Sequence, residues 1–189
     1  MVGCALRTAT GKKRNAWVFY RSGGLPMILY HQPNAIIVDL DGTLADPACR
    51  IPYLEIRDWD KFFAGIRNDM LNMWCYNLIQ AYRKDDHRII IMTGRPSKYR
   101  AECEFWLKCH AVPYDELVTR PHGVSCEDVA FKRQEYVSRL RYLYDVRLAI
   151  DDKPSVFEMW RKQNVPALLC HSDERLNIPY FGETGGKNG

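Results

Sequence analysis

Residues 35–43, AIIVDLDGT, decide the fold of this chain. The run at 35–39 is short, apolar and rich in β-branched residues, which is typical of a strand buried in a parallel sheet. Similar runs occur at 88–93, 116–119, 147–150 and 167–170, and helical patterns separate them at 59–83, 97–109, 126–144 and 154–163. This alternation predicts an α/β fold: a doubly wound, Rossmann-like parallel sheet of about five strands with helices on both faces.

The segments outside this alternation differ in composition. Residues 1–34 hold five basic side chains and no acidic one, and the last residues, 176–189, are rich in glycine. We therefore predict a basic, flexible N-terminal extension at 1–34, an α/β domain at 35–175 with a small helical cap at about 46–86, and a flexible tail at 176–189. Met27, shortly before the first strand, is an alternative start of the chain.

Bulk composition excludes several classes of protein. No run approaches 18 consecutive apolar residues, so we expect no membrane contact and a cytoplasmic location. The seven cysteines form no CxxC pair and no zinc spacing, so we expect reduced thiols. Without residues 1–34 the chain has 22 basic and 23 acidic side chains, so its net charge of +4 does not argue for a nucleic-acid partner.

Acidic residues end the first and fourth predicted strands. Asp39 and Asp41 follow the first, and Asp151 and Asp152 follow the fourth. Because ligands bind at the carboxyl ends of parallel strands, we expect these four residues to form a Mg²⁺ site, with Asp41 contributing its backbone carbonyl. For the Asp151–Asp152 pair the alternative role is to cap the helix that begins near Pro154.

The same strand ends carry the groups that phosphoryl transfer requires. A carboxylate can attack phosphorus and form an aspartyl-phosphate, and Asp39 is predicted to be this nucleophile. Asp41, brought to the site by a turn at Gly42, would protonate the leaving oxygen and then activate water. Thr93 and the backbone N–H of Gly94 would hold phosphate oxygens, and Lys132 would neutralise charge on the phosphoryl group and the nucleophile.

The order of these motifs resembles that of the haloacid dehalogenase (HAD) phosphatases. More narrowly, IIVDLDGTLAD, IIIMTGRPSKYR, EDVAFK and LAIDDKPSVFEMWRKQNV are similar to the 3′-phosphatase domain of phage polynucleotide kinase. The resemblance implies that Arg95, Arg50 and Asp128 bind substrate. It further implies a Mg²⁺-dependent polynucleotide 3′-phosphatase of nucleic-acid repair, encoded by a phage and located in the host cytoplasm.

Two other functions stay open on the sequence. Residues around Gly11 lack the kinase P-loop pattern, so we expect a free-standing phosphatase, which could act as a (deoxy)nucleoside monophosphatase or a broad small-molecule phosphatase. The other rival is an inactive HAD-fold binding module. The short cap favours a large substrate such as a nucleic-acid end over a small metabolite. The expected partner is a phosphorylated nucleic-acid end or nucleotide, and the oligomeric state is not indicated. The aromatic residues Trp59, Phe62, Phe63 and Trp74 are expected to pack in the cap or core, with base stacking as the alternative.

Overall fold

The computed structural model describes the backbone of Val2–Arg7, Lys13–Phe19 and residues 27–170, and the side chains of residues 31–170. Within residues 1–34, where the sequence shows no sustained period, strands β1 (Val2–Arg7), β2 (Lys13–Phe19) and β3 (Met27–Tyr30) form an antiparallel sheet. The tail predicted at 176–189 lies outside the described residues. The domain boundaries and the start at Met27 stay predictions.

A five-stranded parallel sheet forms the centre of the described structure and confirms the predicted α/β class. Its spatial order is β10-β9-β4-β7-β8, so the strand that carries the decisive motif lies in the middle. The strands are β4 (Asn34–Val38), β7 (Arg88–Pro96), β8 (Glu116–Arg120), β9 (Asp145–Asp151) and β10 (Ala167–Leu169).

Helices cover both faces of this sheet. Successive side chains of β4 point to opposite faces, so Ile36 and Val38 enter one buried cluster and Ala35 and Ile37 the other. Helices α3 (Met73–Lys84) and α4 (Arg100–Cys109) pack on the first face. On the second face lie α5 (Asp128–Glu135), α6 (Arg141–Leu143) and α7 (Pro154–Lys162).

The insertion between β4 and α3 forms the cap. It contains α1 (Ile51–Glu55), α2 (Trp59–Ala64), 3₁₀ turns at Ala48–Arg50 and Gly65–Asn68, and the paired two-residue strands β5 (Ala45–Asp46) and β6 (Met70–Leu71). Its core is a separate cluster that includes Phe62, Phe63 and Tyr99. Helix α3 falls within the predicted cap range of 46–86, but its buried Cys75 and Ile79 pack on the sheet.

Two elements differ in detail from the sequence prediction. Strand β7 continues to Pro96, three residues beyond the predicted end, with an irregularity in its pairing between Thr93 and Pro96. The helix predicted at 126–144 contains a π-helical segment, Tyr136–Leu140, between α5 and α6. Hydrophobic spacing reports which face of a helix is buried and not its hydrogen-bond register, so the sequence does not reveal such a segment.

Candidate active site

The predicted catalytic residues lie together at the carboxyl edge of the sheet. Asp39 follows β4 directly, Thr93 is the sixth of the nine residues of β7, and Asp151 is the last residue of β9. Since β4 pairs in parallel with both β7 and β9, the three strand ends meet at one edge. All three side chains are at least 95% buried, so their charges and hydroxyl interact at low dielectric.

Lys132 joins the carboxylates of this edge. Its ammonium nitrogen lies 2.6 Å from Asp39 Oδ1, 2.8 Å from Asp151 Oδ2 and 3.3 Å from Asp128 Oδ2. The lysine side chain is 1% exposed, and burial opposes its charge, but the three carboxylates raise its pKa well above the ordinary value. Lys132 is therefore a fixed, charged group beside the predicted nucleophile.

Three carboxylates at this edge form a cluster suited to a cation. Ligand atoms of Asp39, Asp151 and Asp152 all lie within 4.8 Å of one another, and the three side chains are buried. Burial raises the pKa of Asp39 to about 7 and that of Asp151 to about 6, against the attraction of Lys132. Such closely spaced, buried carboxylates fit a hard divalent cation, because the cation relieves both their desolvation and their mutual repulsion.

Asp41 reaches the site because the chain turns immediately after it. Gly42 has φ 86°, a conformation that favours glycine, and its N–H donates to the Ala45 carbonyl. Both carboxylate oxygens of Asp41 accept hydrogen bonds: Arg50 Nη2 donates to Oδ1 at 2.6 Å and Arg95 Nε to Oδ2 at 2.7 Å. Burial would raise the pKa of Asp41, but Arg95 and Arg50 hold it well below its usual range.

Each of these arginines is itself held by the cap. Arg50 donates from Nε to Asp69 Oδ1 at 2.7 Å, from Nη2 to Asp69 Oδ2, and from Nη1 to the Phe62 carbonyl at 2.6 Å. Arg95 Nη1 donates to the carbonyl of Phe63. The last turn of α2 is therefore connected to Asp41 through two guanidinium groups.

Gly94 and Asp128 are in close contact. A Cβ atom added to Gly94 would lie 2.3 Å from Asp128 Oδ1, so the site leaves no space for a side chain there. Asp128 Oδ2 forms ion pairs with Lys132 at 3.3 Å and Lys153 at 2.9 Å. The neighbouring Thr93 Oγ1 accepts from the backbone N–H of Arg95 at 3.3 Å.

A cavity of about 360 Å³ opens at these residues. Six of the predicted site residues line it, namely Asp39, Asp41, Thr93, Gly94, Arg95 and Asp128. Its other walls comprise cap residues Leu54, Trp59, Phe62 and Phe63, and core residues Arg120, Glu127, Val129, Lys153, Pro154 and Ser155. Arg50 lies behind the wall at 1% exposure, with its donors directed at the cap and Asp41.

Sequence reasoning missed several charged residues of this site: Arg120, Glu127 and Lys153 in the cavity lining, and Asp69 behind it. Asp69 lies in the cap, 30 positions after the nucleophile, and no motif marks it. Lys153 directly follows the Asp151–Asp152 pair, so its position next to a predicted metal site was an available signal. Its backbone N–H donates to Asp151 Oδ1 at 3.1 Å, and its ammonium group pairs with Asp128.

Comparison with known proteins identifies the family. A family model for the polynucleotide kinase PNKP phosphatase domain matches residues 33–174. The chain belongs to this family. The predicted resemblance to HAD phosphatases of polynucleotide kinase is thereby confirmed, as is the assignment to the HAD-type phosphatases.

Individual relatives agree with this assignment. A putative bifunctional polynucleotide kinase/RNA ligase of Autographa californica nuclear polyhedrosis virus is 28% identical over 138 residues, which are 72% of this chain and 19% of the relative. A chain of the Pnkp1/Rnl/Hen1 RNA repair complex is 26% identical, with a TM-score of 0.68 over 76% of this chain and 44% of that chain. The class C acid phosphatase of Bacillus anthracis shares the fold at 14% identity and a TM-score of 0.58. This chain thus spans less than half the length of the first two relatives.

Proposed function

We propose that this chain is a Mg²⁺-dependent phosphomonoester hydrolase that removes a terminal 3′-phosphate from a polynucleotide through an aspartyl-phosphate on Asp39. The main observation behind the proposed chemistry is the position of Asp39. Its carboxylate lines a cavity, with Oδ1 2.6 Å from Nζ of the buried Lys132, and lies beside the buried Asp151 and Asp152. Membership of the PNKP phosphatase family supports the reaction class.

Nucleophilic attack requires Asp39 to be ionised. Burial opposes this state and the charge of Lys132 favours it. Asp39, Asp151 and Asp152 would hold Mg²⁺, with the backbone carbonyl of Asp41 as a further ligand. The positive charge of the ion would favour ionised Asp39 and would polarise the phosphoryl group. The ammonium group of Lys132 would compensate the charge that develops on the phosphoryl oxygens, together with Thr93 and the Gly94 N–H.

Asp41 would act in both halves of the reaction. The arginines keep it ionised in the resting site, which is the state that activates water for hydrolysis of the phosphoenzyme. Protonation of the leaving oxygen requires the neutral form. A substrate phosphate that binds Arg95 would draw that guanidinium away from Asp41, and the pKa of Asp41 would rise.

The substrate proposal rests on the family and on the shape of the site. Relatives named as polynucleotide kinase/RNA ligase and as part of an RNA repair complex support a nucleic-acid end. The cap contains only two short helices, and a cap this small suits a large substrate such as a nucleic-acid end. The volume of about 360 Å³ also lies in the range of small-molecule sites, which keeps a nucleoside monophosphate as the second candidate.

Phosphate release from matched substrates tests this proposal. The substrates are an oligonucleotide with a 3′-phosphate, the same oligonucleotide with a 5′-phosphate, and 3′- and 5′-mononucleotides, each with Mg²⁺ or with EDTA. We expect Mg²⁺-dependent release that favours the 3′-phosphorylated oligonucleotide, and none from the Asp39→Asn variant. Preference for mononucleotides would replace the substrate proposal, and release that persists in Asp39→Asn would refute the nucleophile. No release from any phosphomonoester would favour the binding module.

A further inference from the structure

One wall of the catalytic cavity is aromatic and belongs to the cap. Trp59, Phe62 and Phe63 line the cavity, and all three come from α2. The two phenylalanines are about 95% buried, whereas Trp59 is half-buried. The indole of Trp59 is thus the most exposed of the three rings. A partly exposed aromatic ring beside a charged site can bind the apolar part of a substrate.

The ring is held in place before any substrate binds. Trp59 stacks on Phe63 with centroids 6.0 Å apart and an interplanar angle of 26°, and it meets Phe62 edge-on at 6.3 Å. At the start of α2, Asp58 accepts a hydrogen bond from the Lys61 N–H at 3.1 Å. Tyr99, from the sheet side, contacts the Phe63 ring at 5.5 Å. A rigid ring loses little conformational entropy when a ligand packs on it.

The wall also lies on the side of the site where the leaving group must be. Asp41 is the group proposed to protonate the leaving oxygen, so the rest of the leaving group extends toward Asp41. The arginines bound to Asp41 are anchored on the carbonyls of Phe62 and Phe63. We therefore expect the leaving group to lie on the same side of the site as the aromatic wall.

We propose that Trp59 stacks on the terminal nucleobase of the substrate and selects ends that carry a base. This inference rests on the proposed function, in which the leaving group is the 3′-terminal nucleoside. Stacking on an aromatic side chain tolerates every base because each has a π-face, so the contact would serve an enzyme that acts on ends of any sequence.

A two-by-two comparison tests the contact between ring and base. The substrates are two 3′-phosphorylated oligonucleotides that differ only in the last residue, which is a normal nucleotide in one and an abasic analogue in the other. The enzymes are the wild type and Trp59→Leu, with Trp59→Phe as the conservative variant. Trp74→Leu is the matched control, because Trp74 lies on α3, is 41% exposed and does not line the cavity.

We expect the wild type to prefer the base-bearing end in kcat/KM by roughly 5- to 150-fold, which corresponds to the free energy of stacking one base on an aromatic side chain. Trp59→Leu should abolish this preference by lowering kcat/KM for the base-bearing end much more than for the abasic end, whereas Trp59→Phe and Trp74→Leu should keep it. An equal loss on both substrates in Trp59→Leu would mean that the ring only packs the cap and would overturn the inference. A preference for the base-bearing end that persists in Trp59→Leu would also overturn the inference.

Failure of the proposed function would appear in the wild type alone. A wild-type protein that releases no phosphate from the base-bearing oligonucleotide refutes polynucleotide 3′-phosphatase activity and the inference with it. A wild type that hydrolyses both ends equally retains the proposed function and overturns only the role of Trp59.

Discussion

Replacement of Asp69 by asparagine tests whether the cap positions Asp41, the proposed acid–base group. Asp69 is buried, and its carboxylate accepts from Arg50 Nε at 2.7 Å and from Nη2. Together with Asp41 and Arg95 these residues form a buried group of two cations and two anions. Asp69→Asn preserves the shape of the side chain but leaves one positive charge in excess and turns an amide N–H₂ toward guanidinium donors.

The magnitude follows from the burial of this group. Removal of one partner from a buried ion pair costs about 3–5 kcal/mol, and we expect the lower end because Asp41 continues to pair with Arg50. At about 2 kcal/mol per M urea, the unfolding midpoint should fall by roughly 1.5 M. Arg50 would also lose the contacts that orient it toward Asp41, so kcat should fall on the order of 10²-fold, a typical loss when acid–base catalysis is impaired.

Urea unfolding and phosphate release at low temperature, where the variant is folded, measure the two effects separately. Glu104→Gln is the matched control: it makes the same kind of change in a half-exposed pair with Arg100 at 2.8 Å, and it should cost less than about 1 kcal/mol. An unchanged midpoint in Asp69→Asn would refute the proposed energetics. A lowered midpoint with wild-type kcat would show that Asp69 stabilises the cap without positioning Asp41.

Three further predictions concern the centre of the site. Lys132→Met should lower kcat by about 10²-fold or more in a phosphate-release assay, because the ammonium group 2.6 Å from Asp39 then no longer compensates the phosphoryl charge; activity near the wild-type value would contradict this role. Gly94→Ala should lower kcat/KM in the same assay, because its Cβ would meet Asp128 Oδ1 at 2.3 Å and the backbone must shift; unchanged kinetics would refute this close contact. The free energy of unfolding of the metal-free protein should fall as pH rises from about 4 to 7, because the native state binds protons at Asp39 and Asp151 more tightly than the unfolded state. Mg²⁺ should therefore raise Tm more at pH 8 than at pH 5, and an equal rise at both would contradict the metal site.

Much of the fold was readable because its signals are local. Each core strand contains a short apolar run, and the runs predicted from Ala35, Arg88 and Arg147 end in the polar residues of the site. Parallel pairing then brings residues far apart in sequence to one edge. The order of motifs was therefore enough to predict which side chains meet.

The contacts that hold these site residues in position could not be predicted in the same way. Arg50 is held by the backbone carbonyl of Phe62, and a carbonyl has no side-chain signature. Asp69 acts through a contact made by the packing of the cap. Arg50 was predicted to bind substrate, and the structure shows it bound to Asp41; a direct contact with substrate stays a prediction.

No helix in the part of the chain with a described backbone is long and apolar enough to cross a membrane. The cytoplasmic location and the phage origin stay predictions.

Detection of a phosphoryl group on Asp39 tests the central claim most directly. The protein is mixed with a 3′-phosphorylated oligonucleotide and Mg²⁺, quenched in acid within the first turnover, digested and analysed by mass spectrometry. Our account predicts one phosphoryl group on the peptide that contains Asp39, and none in the Asp39→Asn variant. Rapid phosphate release without a phosphopeptide at any quench time, or a phosphoryl group on another residue, would contradict it.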